Sequence, residues 1–264
     1  MLLPSERMME LALTQDSEPL VSVIMPSYNA EKYIEEAIES VIAQSYANWE
    51  LFVLDDGSTD RTAEIAQSYA DKDSRIILHR NSHNMGTANT RNVGIKLANG
   101  EWIATLDSDD IWHPEKLEIQ LKKARETGAL FLYTSYSLFC DGFRQEYTVP
   151  EEVDYSSLLT ENVIGCSTVM MHKSILDGHL FPSEVYHEDY ALWLELLRAG
   201  YNAVGCTEVL TEWRIVKNSR SFNKRKSAKN RWIIYRKMEK LPLHKSIKVF
   251  AAYAYHGLKK HKRL

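Results

Sequence analysis

The chain has 264 residues, 44% of them hydrophobic, and a formal net charge of −4 at pH 7. That is enough apolar material for one large α/β domain or two small ones, and it excludes wholesale disorder. No run of about 18 apolar residues occurs, so no segment is expected to span a bilayer.

Residues 1–18 are interrupted by acids and lack the basic-then-apolar pattern of a secretory leader, so they are expected to form a poorly ordered lead-in. Residues 20–25, LVSVIM, form a strong buried strand, broken by Pro26, Ser27, Tyr28 and Asn29. Residues 30–44 carry apolar positions on one helical stripe: Tyr33, Ile34, Ala37, Ile38, Val41 and Ile42. A second strand over 49–54 ends in Asp55, Asp56 and Gly57, and a helix follows over 60–69, with Asp60 in its first turn. A strand over 75–79 precedes a helix that opens at Gly86 and closes at Asn99 and Gly100.

The stretch 101–110 reads EWIATLDSDD. Its apolar run has the character of a buried parallel strand, and its three carboxylates fall at the strand's carboxyl end, where open parallel sheets bind ligands. On an extended segment, residues i and i+2 share a side, so Asp107 and Asp109 converge while Ser108 faces away. Like charges held together call for a cation between them, and Mg²⁺ or Mn²⁺ takes one or two carboxylates plus phosphate oxygens and water. The alternative is an acidic turn capping the next helix, with Asp110 ahead of Pro114.

The alternation β-α-β-α-β-α-β over the first half predicts an α/β fold with an open, mostly parallel sheet flanked by helices. No GxGxxG follows the first strand and no Walker loop occurs, so neither dinucleotide nor P-loop fingerprint is present. The second half predicts a helix over 114–127, strands over 129–139, 166–172, 201–206 and 209–216, and a helix over 188–200. From residue 223 onward the chain is helical and basic. Residues 217–264 hold 16 Lys and Arg against one acid, Glu239, while residues 1–216 hold 16 Lys and Arg against 35 acids. Such a tail suits an anionic partner or a solvated helical surface.

Cys140, Cys166 and Cys206 are odd in number and lack CxxC spacing, against a disulfide framework or structural zinc site, and a reducing cytoplasm fits. Two more acidic pairs stand out. Asp55 and Asp56 are either turn acids before Gly57 or acceptors for a nucleobase N–H and ribose hydroxyls. Glu188 and Asp189 either complement a helix dipole or supply a general base.

The segments VSVIMPSYNAEKYIEEAIESVIAQ, LDDGSTDRT, NMGTANTRNVGIKLANGEWIATLDSDD and HEDYALWLELLRAG occur in an order that resembles the family 2 glycosyltransferases of GT-A fold, over residues 20–216. The resemblance implies that Pro26, Tyr28 and Asn29 line the nucleotide site, that Asp56 with Asp55 beside it binds base or ribose, and that Arg91 lies near the donor diphosphate. It implies that Asp107 and Asp109 hold ribose and the metal-bound diphosphate, that Asp189, within Glu188-Asp189, is the catalytic base, and that Trp193 faces the acceptor. Many relatives carry Tyr-Arg-x-His after the last strand; here Trp213, Arg214, Ile215 and Val216 stand there, so Arg214, Lys217 or Arg220 is expected to neutralise the leaving diphosphate instead.

The reading is thus an inverting glycosyltransferase that uses Mn²⁺ or Mg²⁺, a nucleotide-sugar, UDP-linked by resemblance, and a saccharide or polyprenyl-diphosphate-linked acceptor in bacterial surface polysaccharide synthesis. Its expected organisation is a catalytic domain over 19–216, with a nucleotide-sugar half (19–110) and an acceptor half (111–216), then a basic helical tail (217–264). Residues 243–264 place basic ends around an aromatic-rich apolar block, which suits an interfacial helix on the inner, anionic face of the membrane. A nucleotidyltransferase would want a Gly-rich basic loop after the first strand, and residues 26–30 lack one. A non-catalytic nucleotide- or saccharide-binding module would not need Asp189, and a nucleic-acid binder would not explain the acidic clusters.

Overall fold

The structure, a computed structural model, describes residues 18–216 and 224–261. The expected lead-in, apart from Glu18, lies outside the described residues, as do Lys217 and Arg220.

In chain order the elements are β1 (Val21–Ser27), α1 (Ile34–Ile42), β2 (Trp49–Asp55), α2 (Thr62–Ala70), β3 (Ile76–Arg80), α3 (Thr87–Leu97), β4 (Trp102–Thr105) and β5 (Ile111–Trp112). They continue with α4 (Lys116–Thr127), β6 (Phe131–Cys140), β7 (Phe143–Tyr147), β8 (Glu152–Val153), α5 (Tyr155–Thr160), β9 (Met170–His172), α6 (Glu188–Arg198) and β10 (Ala203–Arg214). The chain ends in α7 (Lys224–Ile233), a π turn (Ile234–Met238) and α8 (Leu243–His261).

One sheet runs in the order β3-β2-β1-β4-β9-β6-β10-β5, with β7 on β6 and β8 on β10. Its first four strands pair in parallel. The second half departs from that pattern, because β9 runs antiparallel to both β4 and β6. Alternation along β1 builds both faces. Val21, Val23 and Met25 join α1 residues Ile34, Ile38 and Val41 in one core, whereas Ile24 joins Ile95 of α3 and the α6 residues Leu192 and Leu196 in the other. Each face of a central strand is thereby dry, which is why these strands read as continuous apolar runs. Helix α3 sits close on the sheet because Gly94 leaves room: a Cβ there would come within 2.6 Å of Leu54 and 2.7 Å of Ile24.

Two elements differ from the sequence expectation. The strand expected over 166–172 begins as a 3₁₀ turn, Cys166–Thr168, and only Met170–His172 pairs as strand. The two strands expected over 201–206 and 209–216 are one, β10, whose parallel register on β6 shifts between Cys206 and Val209 and again between Val209 and Thr211. The exposed Thr207 and Glu208 read as a break in sequence, but a bulge absorbs them without ending the strand. Among the described residues no helix is long and apolar enough to cross a membrane.

Candidate active site

The carboxyl ends of β1, β2 and β4 lie together, with Ser27 opposite Asp55 and Ile24 opposite Thr105. This is the edge at which an open parallel sheet presents ligands. The turn after β1 is stitched to the turn after β2. Asn29 Oδ1 accepts from the Thr59 N–H at 2.9 Å, the Asn29 N–H donates to Ser58 Oγ at 2.9 Å, and the Ala30 N–H donates to Thr62 Oγ1 at 2.7 Å. Asn29 adopts φ 49°, a left-handed conformation that asparagine tolerates. Pro26 is buried in β1, whereas Tyr28 projects outward and is half exposed.

Asp55 and Asp56 are both buried. Asp55 receives Arg80 Nε at 3.1 Å and the Ser58 N–H at 3.2 Å. Asp56 accepts from Asn81 Nδ2 at 2.8 Å and from the N–H groups of Met85 and Gly86, both at 2.9 Å. The resemblance gives these acids to base or ribose; in the structure their oxygens also accept from internal donors. Asp56 thereby fixes the loop that opens α3. Gly57, at φ +76°, permits this approach, since a Cβ there would stand 3.1 Å from the backbone of His83 and Asn84.

The acidic end of β4 is a turn rather than an extended segment. The Asp110 N–H donates to the Asp107 carbonyl at 3.1 Å, so the alternating rule used to converge Asp107 and Asp109 does not apply. Asp107 lines a cleft of about 380 Å³ with Arg91, Asp110, Cys166, Asp189 and Trp213. Burial and the charge of Asp107 push the Asp109 carboxyl up to about 6. Asp110 is buried and accepts from Ser167 Oγ at 2.5 Å and from the Arg214 N–H at 2.9 Å, so it locks the turn. Ser167 Oγ also accepts the Asp107 N–H at 3.0 Å.

Helix α6 brings Glu188 and Asp189 in its first turn. Asp189 lines the cleft, and its carboxyl is pushed up to about 6, mainly by burial and then by the charge of Glu188. Arg91 of α3 is 3% exposed and joins the two acidic elements: Nη1 donates to Glu188 at 2.9 Å and Nη2 to Asp107 at 2.5 Å. Both terminal nitrogens expected to meet a diphosphate are therefore already engaged by carboxylates.

Trp193 sits elsewhere than the sequence reading placed it, and Arg214 has further contacts. Trp193 does not face a cleft: it is fully buried, with ring centroids 5.2 Å from Phe131 and 5.8 Å from Phe181. One helical turn beyond Asp189 points inward here, because α6 is covered on this side by β6. Arg214, a candidate for the leaving diphosphate, has partners of its own at the edge of the cleft. Its Nε donates to the Asp109 carbonyl at 2.9 Å, its Nη2 to Glu36 at 2.8 Å, and its guanidinium stacks on Tyr33 and Phe139. Sequence reasoning missed Ser167 and Trp213 as cleft residues. Trp213 is 36% exposed, with Tyr136 behind it at 5.7 Å. It stood in the Tyr-Arg-x-His slot, which was the available signal.

Asp107 and Asp109 fit a hard divalent ion by the chemistry of their donors: two carboxylate groups whose charges disfavour one another, beside a cleft. Among the described residues no group of three or more His, Cys, Asp or Glu side chains clusters as a metal cage. A site completed by phosphate oxygens and water does not need one.

The continuous α/β sheet and its carboxylate-lined cleft define the class, a glycosyltransferase of GT-A fold. Residues 22–177 match the family described as Glycosyl transferase family 2, and the chain belongs to it. It is 42% identical over 92% of its length, and 98% of the relative's, to the putative teichuronic acid biosynthesis glycosyltransferase TuaG of Bacillus subtilis. It is 39% identical to WfgD of Escherichia coli, a UDP-Glc:α-D-GlcNAc-diphosphoundecaprenol β-1,3-glucosyltransferase, over 92% of this chain and 95% of that one. Among solved structures it resembles S. aureus TarS 1–349 in complex with UDP-GlcNAc, with TM-score 0.70 and 22% identity over 89% of this chain and 71% of that one. It also resembles the mannosyltransferase PcManGT of Pyrobaculum calidifontis in complex with GDP-Man and Mn²⁺, with TM-score 0.71 and 19% identity over 95% and 75% of the two chains. These two likenesses bear on the fold.

Proposed function

We propose that the chain is an inverting, metal-dependent glycosyltransferase that moves a sugar from a UDP-sugar to a hydroxyl of a polyprenyl-diphosphate-linked saccharide in bacterial surface polysaccharide synthesis. The observation that carries this reading is Asp189: a carboxyl raised to about 6, lining the same cleft as Asp107. A base of that basicity is ionised at neutral pH yet strong enough to take a proton in the transition state. The donor and acceptor named for WfgD support the UDP-sugar and the lipid-linked saccharide, and the teichuronic acid synthesis named for TuaG supports a surface polysaccharide.

Residues 19–110 are assigned to the nucleotide-sugar and 111–216 to the acceptor, with 217–264 as a basic tail. Tyr28, half exposed beside the Asn29 turn, is the aromatic surface offered to the nucleotide base. Asp56, Asp55 and Arg91 act by fixing loops and carboxylates around the donor. Asp107 and Asp109 would hold the divalent ion, Mn²⁺ or Mg²⁺, which would supply Lewis-acid neutralisation of the diphosphate. Asp189 takes the proton of the acceptor hydroxyl. The acceptor oxygen forms a bond to the anomeric carbon as the bond from that carbon to the diphosphate oxygen breaks, and UDP departs with the electron pair. A single displacement inverts the carbon and needs no second carboxylate as nucleophile. Glu188, paired to Arg91, positions the base rather than sharing its work. A lipid-linked acceptor places the enzyme peripherally at the inner face of the membrane.

The test is release of nucleoside diphosphate from UDP-, GDP- and dTDP-sugars with Mn²⁺, with Mg²⁺ and with EDTA, using a short lipid-diphosphate saccharide as acceptor. Metal-dependent turnover of one donor, lost in Asp189→Asn, is expected. Turnover that survives both EDTA and Asp189→Asn would refute the mechanism.

A further inference from the structure

The C-terminal helix α8 packs through one side only. Ser246 and Val249 are buried, Phe250 meets Trp232 of α7 with ring centroids 5.5 Å apart, and His256 reaches Glu161 beyond α5 at 3.0 Å. At about 100° per residue, these four fall on one half of the helix. The other half faces away from the domain. There Leu243 and Ile247 are each 55% exposed and Tyr255 is 64% exposed, with Ala251 and Ala254 exposed between them. These five positions form one stripe, spaced i, i+4, i+8, i+11 and i+12. His244, Lys245 and Lys248 are exposed along its edge. After Glu239 the sequence contains no acid at all.

We infer that this face of α8 is a membrane-docking surface whose partner is an anionic phospholipid leaflet, with Leu243, Ile247 and Tyr255 entering the headgroup boundary and Lys245 and Lys248 meeting the lipid phosphates. The inference deepens the lipid-linked-acceptor reading by naming the surface that meets the bilayer, and its experiment uses no sugar donor, so the two readings fail separately. Charge and polarity together choose the occupant. An apolar stripe edged by cations, with no acid on the same helix, matches the apolar interior and anionic surface of a cytoplasmic leaflet. A second copy of the same face would set lysines against lysines, which opposes a two-fold contact. A nucleic acid would use the lysines and leave the leucine and isoleucine in water.

The full-length chain is sedimented with vesicles of phosphatidylcholine alone and of phosphatidylcholine with phosphatidylglycerol in equal parts. Three chains are compared: the natural one, the pair Leu243→Glu with Ile247→Glu, and the pair Lys245→Glu with Lys248→Glu. All four positions are exposed, so the melting curve by circular dichroism is expected to stay in place. The natural chain is expected to bind the anionic vesicles, to leave the neutral ones, and to lose binding as salt rises. Each paired variant is expected to weaken binding by on the order of tenfold or more. Should one pair melt early, the other carries the comparison. Failure to bind anionic vesicles, or binding unchanged by both pairs, would overturn the assignment. So would a dimer in light scattering that Leu243→Glu with Ile247→Glu dissolves, or an oligonucleotide bound more tightly than the vesicles.

Discussion

Arg91 holds one acidic element on each arm of its guanidinium: Asp107 at 2.5 Å and Glu188 at 2.9 Å. The first belongs to the turn after β4 and the second to the first turn of α6, 97 residues further from Arg91 in sequence. One buried cation therefore sets the distance between the two walls of the cleft. Arg91→Met removes the cation that Glu188 and Asp107 share, which costs about 3 kcal/mol in urea unfolding, at the low end for a broken buried pair because Asp107 keeps water on part of its carboxylate. Turnover falls by at least ~100-fold, since a small misplacement of Asp107 relative to Asp189 is enough. Arg91→Lys recovers part of the stability but little of the rate, because one ammonium does not present a fork to two carboxylates. A Lys variant with full activity would refute the bridging role.

Asp189 predicts opposite changes in activity and stability. Its carboxyl is raised from 3.8 to about 6, by burial first and Glu188 second. As a base it works ionised, so kcat falls about tenfold per pH unit below about 6. The stability sign follows from linkage. Between about 3.8 and 6 the folded chain binds the proton that the unfolded chain has released, so stability falls as pH rises through that window. At pH 7 the ionised group is a net cost to the fold. Asp189→Asn removes that charge and is expected to be inactive yet to melt higher than the natural chain at pH 7. A variant that melts lower would contradict the assigned desolvation.

Ser167 links two parts of the acidic turn: its hydroxyl donates to Asp110 and accepts from the Asp107 N–H. Ser167→Ala leaves the Asp110 carboxylate and one backbone N–H short of a partner. The expected loss is about 1–3 kcal/mol, with kcat reduced about tenfold through the displaced Asp107. Ser167→Thr, which keeps the hydroxyl, is expected to restore most of the stability, measured by denaturant titration.

Trp193 separates packing from acceptor contact. Its indole is fully buried and the Nε1 has no partner among the described residues. Trp193→Phe gives up some area but also removes an unpaired donor, so it is expected within ~1 kcal/mol of the natural chain, with the KM for acceptor unchanged. Trp193→Ala opens a cavity between Phe131 and Phe181 and costs about 3–5 kcal/mol. A raised acceptor KM in the Phe variant would return Trp193 to the acceptor site.

What was legible in the sequence was periodic or local. The runs that became β1, β2 and β4 are dry on both faces, and the α1 stripe buries Ile34, Ile38 and Val41 as its spacing implies. The Gly, Asn and Asp punctuation placed the turns at the ligand edge of the sheet. What was not legible depends on partners far along the chain. Ser167 meets Asp107 across 60 residues, and the Arg214 guanidinium reaches Asp109 and Glu36 across 105 and 178. No local pattern reports that Arg214 also holds this turn. The extended reading of Asp107-Ser108-Asp109 failed for a nearby reason: the carbonyl of Asp107 is closed onto Asp110 as the strand ends. Trp193 was misplaced because helical spacing gives the face of a residue but not what covers it.

Lys116 gives a stability test remote from any catalytic group. It is fully buried at the start of α4, its Nζ lies 4.1 Å from the centre of the Trp112 ring and bonds Gln120 Oε1 at 2.6 Å, and burial lowers it from 10.5 to about 7. Among the described residues it forms no salt bridge; the charge faces the Trp112 ring and the Gln120 amide, with the Cys206 thiol close enough to act on it. Between about 7 and 10.5 the unfolded chain holds a proton that the folded chain has shed, so raising pH through that window favours the fold. The natural chain is therefore expected to gain melting temperature from pH 7 to pH 10 relative to Lys116→Met, which has nothing to titrate there. At pH 7 the Met variant is expected to be equal or more stable, as buried charges replaced by apolar groups of similar length often are. Parallel melting curves for the two chains across that range would show that Lys116 stays protonated in the fold.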